Sequence, residues 1–182
     1  MSPIGPITPH GGYRDLKSFQ GATIIYDLTV AFCDRFVTER RMRDQMVQAA
    51  RSGRQNIAEG SQASGTSKKT EIKLVSVARA SLEELLLDYE DFLRQRGFAA
   101  WEKNNSQALD VRKLSYLQNR SYTSYKSYLE SPETAANTLI CLIHQTNYLL
   151  DQLLRALEKD FLEHGGFTER LYHFRKDNQY KI

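Results

Sequence analysis

Residues 67–97, SKKTEIKLVSVARASLEELLLDYEDFLRQRG, decide the fold. Ile72, Val75, Leu82, Leu86, Tyr89 and Leu93 recur at helical spacing, which places them on one face of a long helix. Ser67 is suited to capping the start of that helix, and Gly97 to ending it. Moving toward the N-terminus, the same periodicity predicts a second helix from Met42 to about Glu59, with Met46, Ala49, Ala50, Gly53 and Ile57 on one face. That face is rich in small residues, so a neighbouring backbone can approach closely. Across the charged turn Glu39-Arg40-Arg41, a further helix runs from about Phe19 to Val37, with Ala22, Ile25, Leu28, Phe32 and Phe36 in register. Residues 1–12 hold three of the four prolines together with Gly5, Gly11 and Gly12, and are expected to form a flexible arm.

Toward the C-terminus the pattern breaks over residues 98–133, where Asn104-Asn105, the polar run Gln118–Ser121 and Pro132 suggest a long connection with one or two short helical pieces. A fourth long helix then runs from Pro132 to about Glu163. Its seam is Leu139, Ile143, Thr146, Leu150, Leu153, Leu157 and Phe161, and Gly165-Gly166 stops it. The remaining residues, 167–182, carry Phe167, Leu171, Tyr172, Phe174 and Tyr180 among charges and are expected to dock as a short helix, the alternative being that they present these aromatics to a partner. No segment alternates as a strand does. The fold expected is therefore all-α: an antiparallel up-down four-helix bundle over residues 13–166, with a long connection before the last helix and a short helical tail.

Bulk properties agree with a single globular domain. The chain has 182 residues, 41% hydrophobic and 26% charged, enough to bury a core without disulfide or metal staples. No apolar run approaches the ~18 residues of a membrane span, and the N-terminus has no basic segment leading into an apolar one. A cytoplasmic protein without membrane association is expected. Cys33 and Cys141 lie within apolar helical patterns far apart in sequence, which suits packing in a reducing compartment better than redox or metal chemistry.

One stretch invites a chemical reading. In residues 60–71, GSQASGTSKKTE, two glycines stand five apart as in a phosphate-binding loop. That loop requires a preceding strand and a lysine directly after the second glycine. Here a helix precedes, Thr66 takes the lysine's place, and Lys68 and Lys69 come too late, so the segment is a helix–loop–helix corner. No Glu-x-x-His or HExxH occurs, and two distant cysteines build no zinc site. No Arg stands four to six residues before a His, as one class of helical ribonuclease requires. His144 is expected to be a packed polar residue. No cofactor and no catalytic residue are implied, so the chain is read as a non-enzyme. Arg79 falls in step with the inward seam of the third helix, and a buried arginine needs a partner, for which Glu59 and Glu83 are available.

The charges are unevenly placed. Residues 35–79 hold ten Lys or Arg against four acids, and residues 80–91 hold five acids and no base. Two blocks stand within this region: Asn56-Ile57-Ala58-Glu59-Gly60, and Ala78-Arg79-x-Ser81-Leu82-x-Glu84-Leu85. With the flanking QMVQAARSGRQ and SKKTEIKLVSV, they resemble the four-helix bundle protein family that includes proteins encoded in intervening sequences of large-subunit ribosomal RNA genes. The arm and C-terminal half are similar to its four-helix bundle suffix subgroup. Gly53-Arg54 replaces the family's usual Ile-Pro, and Ala80 its Gly. The resemblance implies a ring-like pentamer, a structural polar set of Asn56, Glu59, Arg79, Ser81 and Glu84, and relatives such as the accessory protein of diversity-generating retroelements that engage nucleic acid through a basic surface. On that basis Arg40, Arg41, Arg43, Arg51, Arg54, Lys68, Lys69 and Lys73 are candidate contacts to an RNA or DNA backbone, gathered around one end of the bundle. The alternative is a protein–protein scaffold in which these cations meet the acids Glu83, Glu84, Asp88, Glu90 and Asp91 of a neighbouring copy.

Overall fold

The computed structural model describes residue 7 and residues 9–179 and is all-helical, with no strand among the described residues. Six α-helices follow in order: α1 Lys17–Phe36, α2 Arg40–Ala63, α3 Lys68–Arg96, α4 Ser106–Leu114, α5 Pro132–His164 and α6 Phe167–Gln179. The caps fall where side-chain chemistry places them. The Ser67 hydroxyl accepts from the Thr70 N–H to start α3, and Gly97, at φ 68°, ends it. Ser131 caps α5, with Pro132 in the first turn, where a missing N–H costs nothing.

The four long helices touch in a closed circuit, α1 on α2, α2 on α3, α3 on α5 and α5 on α1. Individual contacts give the direction. Lys68 meets Asp160, Arg79 meets Asp151 and Glu83 meets Asn147, so numbering rises along α3 as it falls along α5. The core runs along the shared axis: Ile25, Leu28, Phe32, Met46, Ile57, Leu82, Leu85, Tyr89, Phe92, Leu139, Ile143 and Leu150 are all almost fully buried. Tyr89 donates its hydroxyl to Thr29 Oγ1 at 2.9 Å and packs edge-on against Phe32, so its polar end is satisfied inside the core. The small-residue face of α2 works as expected. A Cβ on Gly53 would stand 2.7 Å from a Leu82 methyl, and the two helices close on that point.

Four expectations change. The corner is tighter than expected, because α2 continues through Gly60 to Ala63. The described end of the arm is held rather than free: Gly11 N–H donates to the Ser61 carbonyl at 3.1 Å, and the His10 ring lies where a Cβ on Gly65 would be. The two glycines that resemble a phosphate loop thus serve helix and arm packing. Residues 1–6 and 8 of the expected arm lie outside the described residues. In the tail, α6 forms but buries no side chain; Tyr172 and Phe174 are 63% and 39% accessible, and Tyr180 lies outside the described residues. Its charged residues interrupt the apolar positions, leaving too little continuous apolar face to dock. His144 is exposed on α5, because the inward positions around it are filled by Leu139, Leu142, Ile143 and Thr146.

The long connection is pinned by Asn137, a buried residue of α5. Its carbonyl accepts from Trp101 N–H at 2.7 Å and its amide donates to the Ala99 carbonyl at 2.9 Å. Farther along, Tyr122–Leu129 forms a 3-10 helix over the repeat SYTSYKSYL. Three residues per turn aligns Tyr122, Tyr125 and Tyr128, with Tyr125 buried at the centre.

Candidate nucleic-acid interface

The eight candidate cations do not gather at one end. Helix α2 begins at Arg40 and ends at Ala63, four residues before the cap of α3. Because α2 and α3 pack side by side across that short corner, Lys68, Lys69 and Lys73 stand at one end, and Arg40, Arg41 and Arg43 at the other. At 1.5 Å per residue the two groups are about 35 Å apart. Sequence proximity gave the impression of a cluster; the 24-residue length of α2 holds the two groups apart.

Several of these cations are also engaged within the chain. Arg43 pairs with Asp34, and Arg40 approaches Asp44 at 3.8 Å. Arg54 lies over the Tyr26 ring, 4.3 Å from its centroid. Lys68 is largely covered and bridges Glu71 and Asp160, each at 3.2 Å. That network resolves the conflict of a lysine in the first turn of a helix, since the positive helix end and the lysine share two carboxylates. Burial pushes the Glu71 carboxyl up from its ordinary value, although Lys68 opposes the shift. Arg41, Arg51, Lys69 and Lys73 have no such partner among the described residues.

The outer face of α2 forms one wall of an open groove of about 780 Å³, with α3 as the other. Arg40, Arg41, Gln45, Gln48 and Ser52 line it from α2; Ser81 and Glu84 face them from α3, and Asp44 adds a second carboxylate. At its floor the Ser52 and Ser81 hydroxyls share a 2.9 Å hydrogen bond, and Asn56 donates its amide to the Ser52 carbonyl at 2.9 Å and to its hydroxyl at 3.1 Å. The two sequence blocks therefore meet through Ser52. Gln45, Gln48 and Ser52 were missed in the sequence; they share the helical face of Arg41, and that spacing was the available signal.

The structural polar set is corrected in the same place. Glu59 and Glu84 are exposed, and Asn56, Arg79 and Ser81 are only partly buried. Apolar side chains fill the inward positions, so these polar groups sit at helix–helix edges. Arg79 reaches Glu83 and, at 3.1 Å, Asp151 of α5, not Glu59. Its guanidinium runs outward to the α3–α5 edge while its stem stays against the core. The buried polar residues among those described are instead Ser18, Thr29, Ser64, Asn137, Thr138, Thr146 and Asn147.

Neither cysteine is placed for chemistry. Both are free and buried, and burial pushes the Cys33 thiol up to about 12 and the Cys141 thiol in the same direction. Among the described residues, no group of three or more His, Cys, Asp or Glu side chains is arranged to hold a metal ion, and no helix is long and apolar enough to cross a membrane. No protein-family model, curated protein or solved structure matches the chain.

Proposed function

We propose that this chain is a non-catalytic, self-associating protein, an antiparallel four-helix bundle of the family its sequence resembles, whose α2 outer face contacts the phosphate backbone of RNA or DNA. The antiparallel contacts among α1, α2, α3 and α5 support the bundle reading. One observation carries the nucleic-acid reading: α2 holds five arginines against Asp44 and Glu59, an excess of three that equals the +3 net charge of the whole chain. The rest of the molecule is balanced. Among the described residues, Arg41 and Arg51 on this helix have no carboxylate partner, and Gln45, Gln48 and Gln55 add hydrogen-bond donors along it. Arg40, Arg41 and Arg43 also crowd the first turn, which has no acid and no side-chain cap, so a phosphate there would meet unpaired N–H groups as well as guanidinium.

Contacts of this kind carry no sequence information and weaken with salt. Binding of a structured RNA and of duplex DNA is measured across a salt series, for the native chain and for Arg41→Ala/Arg51→Ala. The double variant should bind more weakly, and its salt dependence should be shallower by roughly two contacts, about 1.8 in the logarithmic slope. Absence of binding at low salt by the folded native protein would sink the reading. Lys68 is a poor site for such a test, since its removal disrupts the Glu71–Asp160 network.

A further inference from the structure

Helix α3 turns a second regular face to solvent. Lys73, Val77, Ala80, Glu84, Leu87 and Asp91 follow one another at alternating steps of four and three residues, and all six are exposed. Val77 and Leu87 on this face are 40% and 55% accessible, while the helix's inward seam is filled by other side chains. Alternating steps of four and three define a seam between two helices. This seam has no occupant among the described residues.

Its residue types are self-complementary. When α3 is laid antiparallel against the α3 of a second copy, about an axis level with Leu82, Lys73 faces Asp91, Val77 faces Leu87, and Ala80 faces Glu84. Each pairing occurs twice, once on either side of the axis. Sliding the register by one heptad toward the C-terminus puts Leu87 against Glu84 and Val77 against Arg94. Sliding it the other way puts Val77 against Ala80 and leaves Leu87 opposite Thr70. The second slide keeps one opposite-charge pair, Lys73 with Glu84, but only the first register joins Val77 to Leu87 and Lys73 to Asp91 together. Ala80 is small enough for the Glu84 stem to lie across it with its carboxylate in water. On the flanks, Ser81 is neutral, and Glu83 is already matched by Arg79 within its own chain. Asp91 is paired with exposed Arg94 at 2.7 Å, a contact that leaves it open to a second cation. Asp88 and exposed Glu90 are the remaining flanking acids; burial raises the pKa of Asp88, with Glu84 and Asp91 adding to the shift.

We propose that the outer face of α3 is a contact between two copies of this chain, antiparallel and two-fold symmetric, with Val77–Leu87 and Lys73–Asp91 as its reciprocal pairs. The contact requires no nucleic acid and leaves Arg41 and Arg51 on α2 outside its pairs. It closes at two copies, whereas the ring of five implied by the family resemblance needs a head-to-tail contact.

The test uses the full chain with Val77→Cys or Leu87→Cys, cross-linked by a short bifunctional maleimide; Cys33 and Cys141 are buried and do not compete. A mixture of the two variants should cross-link, and neither should do so alone. Light scattering of the native chain should give twice the 21.0 kDa of one copy. Lys73→Asp should weaken association by roughly tenfold, from two lost pairs replaced by repulsion, and Lys73→Asp/Asp91→Lys should restore it. Circular dichroism checks that each variant is folded. A folded native chain that stays monomeric at high concentration overturns the proposal. Self-cross-linking of Val77→Cys alone, a five-copy mass without the mixed cross-link, or failure of the charge swap to rescue would each do the same.

Discussion

The inward and outward faces of α3 share a helical spacing but differ in what occupies it. Inward stand Val75, Leu82, Leu86, Tyr89 and Leu93, buried against three other helices; outward stand Val77, Ala80, Glu84 and Leu87, all exposed. Periodicity alone identifies a face that can pack. Whether it packs within the chain depends on how much apolar surface it offers, since each buried side chain must outweigh its lost freedom and the desolvation of its neighbours. The inward face does this with large side chains throughout. The outward face offers two aliphatic residues between charges, enough for a reversible contact and too little to be drawn into the core.

The difference can be probed by moving outward around the helix. Leu82→Ala removes a fully buried side chain that closes on Gly53, and should cost about 3 kcal/mol, read as a lower urea midpoint at unchanged slope. A loss below ~1 kcal/mol would mean that the α2–α3 contact repacks freely and that the inner seam is less specific than its burial indicates. Tyr89→Phe keeps the ring and deletes the bond to Thr29, with an expected cost of about 1 kcal/mol in the same assay. At the boundary, Arg79→Ala removes two ion pairs, but a third of its side chain meets water, so screening limits the loss to below about 1 kcal/mol. Leu87→Ala should change the stability of the single chain by less than ~0.5 kcal/mol while weakening self-association measured by sedimentation. A stability loss matching that of Leu82→Ala would erase the distinction between the faces.

Glu71 gives a pH test at the end of the same helix. Its folded-state pKa is raised, so the folded protein holds this proton more tightly than the unfolded chain. The contribution favours folding while Glu71 is protonated and is lost as pH rises from its ordinary value through the raised one. Stability of Glu71→Gln relative to the native chain should therefore improve as pH rises above the ordinary carboxyl value of about 4, when denaturation midpoints are compared. A flat difference would show that Lys68 offsets burial fully.

Much of the architecture was legible because it depends on local chemistry. Ser67, Gly97 and Pro132 mark helix ends through hydrogen bonds and backbone angles made within a few residues, and the structure has them there. The repeat SYTSYKSYL was equally visible but passed unread, since its period of three fits neither an α-helix nor a strand. The candidate site was less legible. Ten cations in one stretch suggested a patch, yet the full length of α2 stands between Arg40 at its start and Lys68 just past its end. Arg79 called for a carboxylate, and Asp151, 72 residues away, supplied one alongside Glu83.

The sequence by itself determined that this protein is all-helical, where α3 and α5 begin and end, and most of the apolar side chains that face inward, because periodicity and capping act over one or two turns. Tertiary structure alone decided which charges are neutralised within the chain, that Ser52 joins the two sequence blocks, and that the outward seam of α3 is left uncovered by the other described residues. Those outcomes depend on which helix lies beside which, and Coulomb and hydrogen-bond energies fall off within a few ångströms that only packing can set.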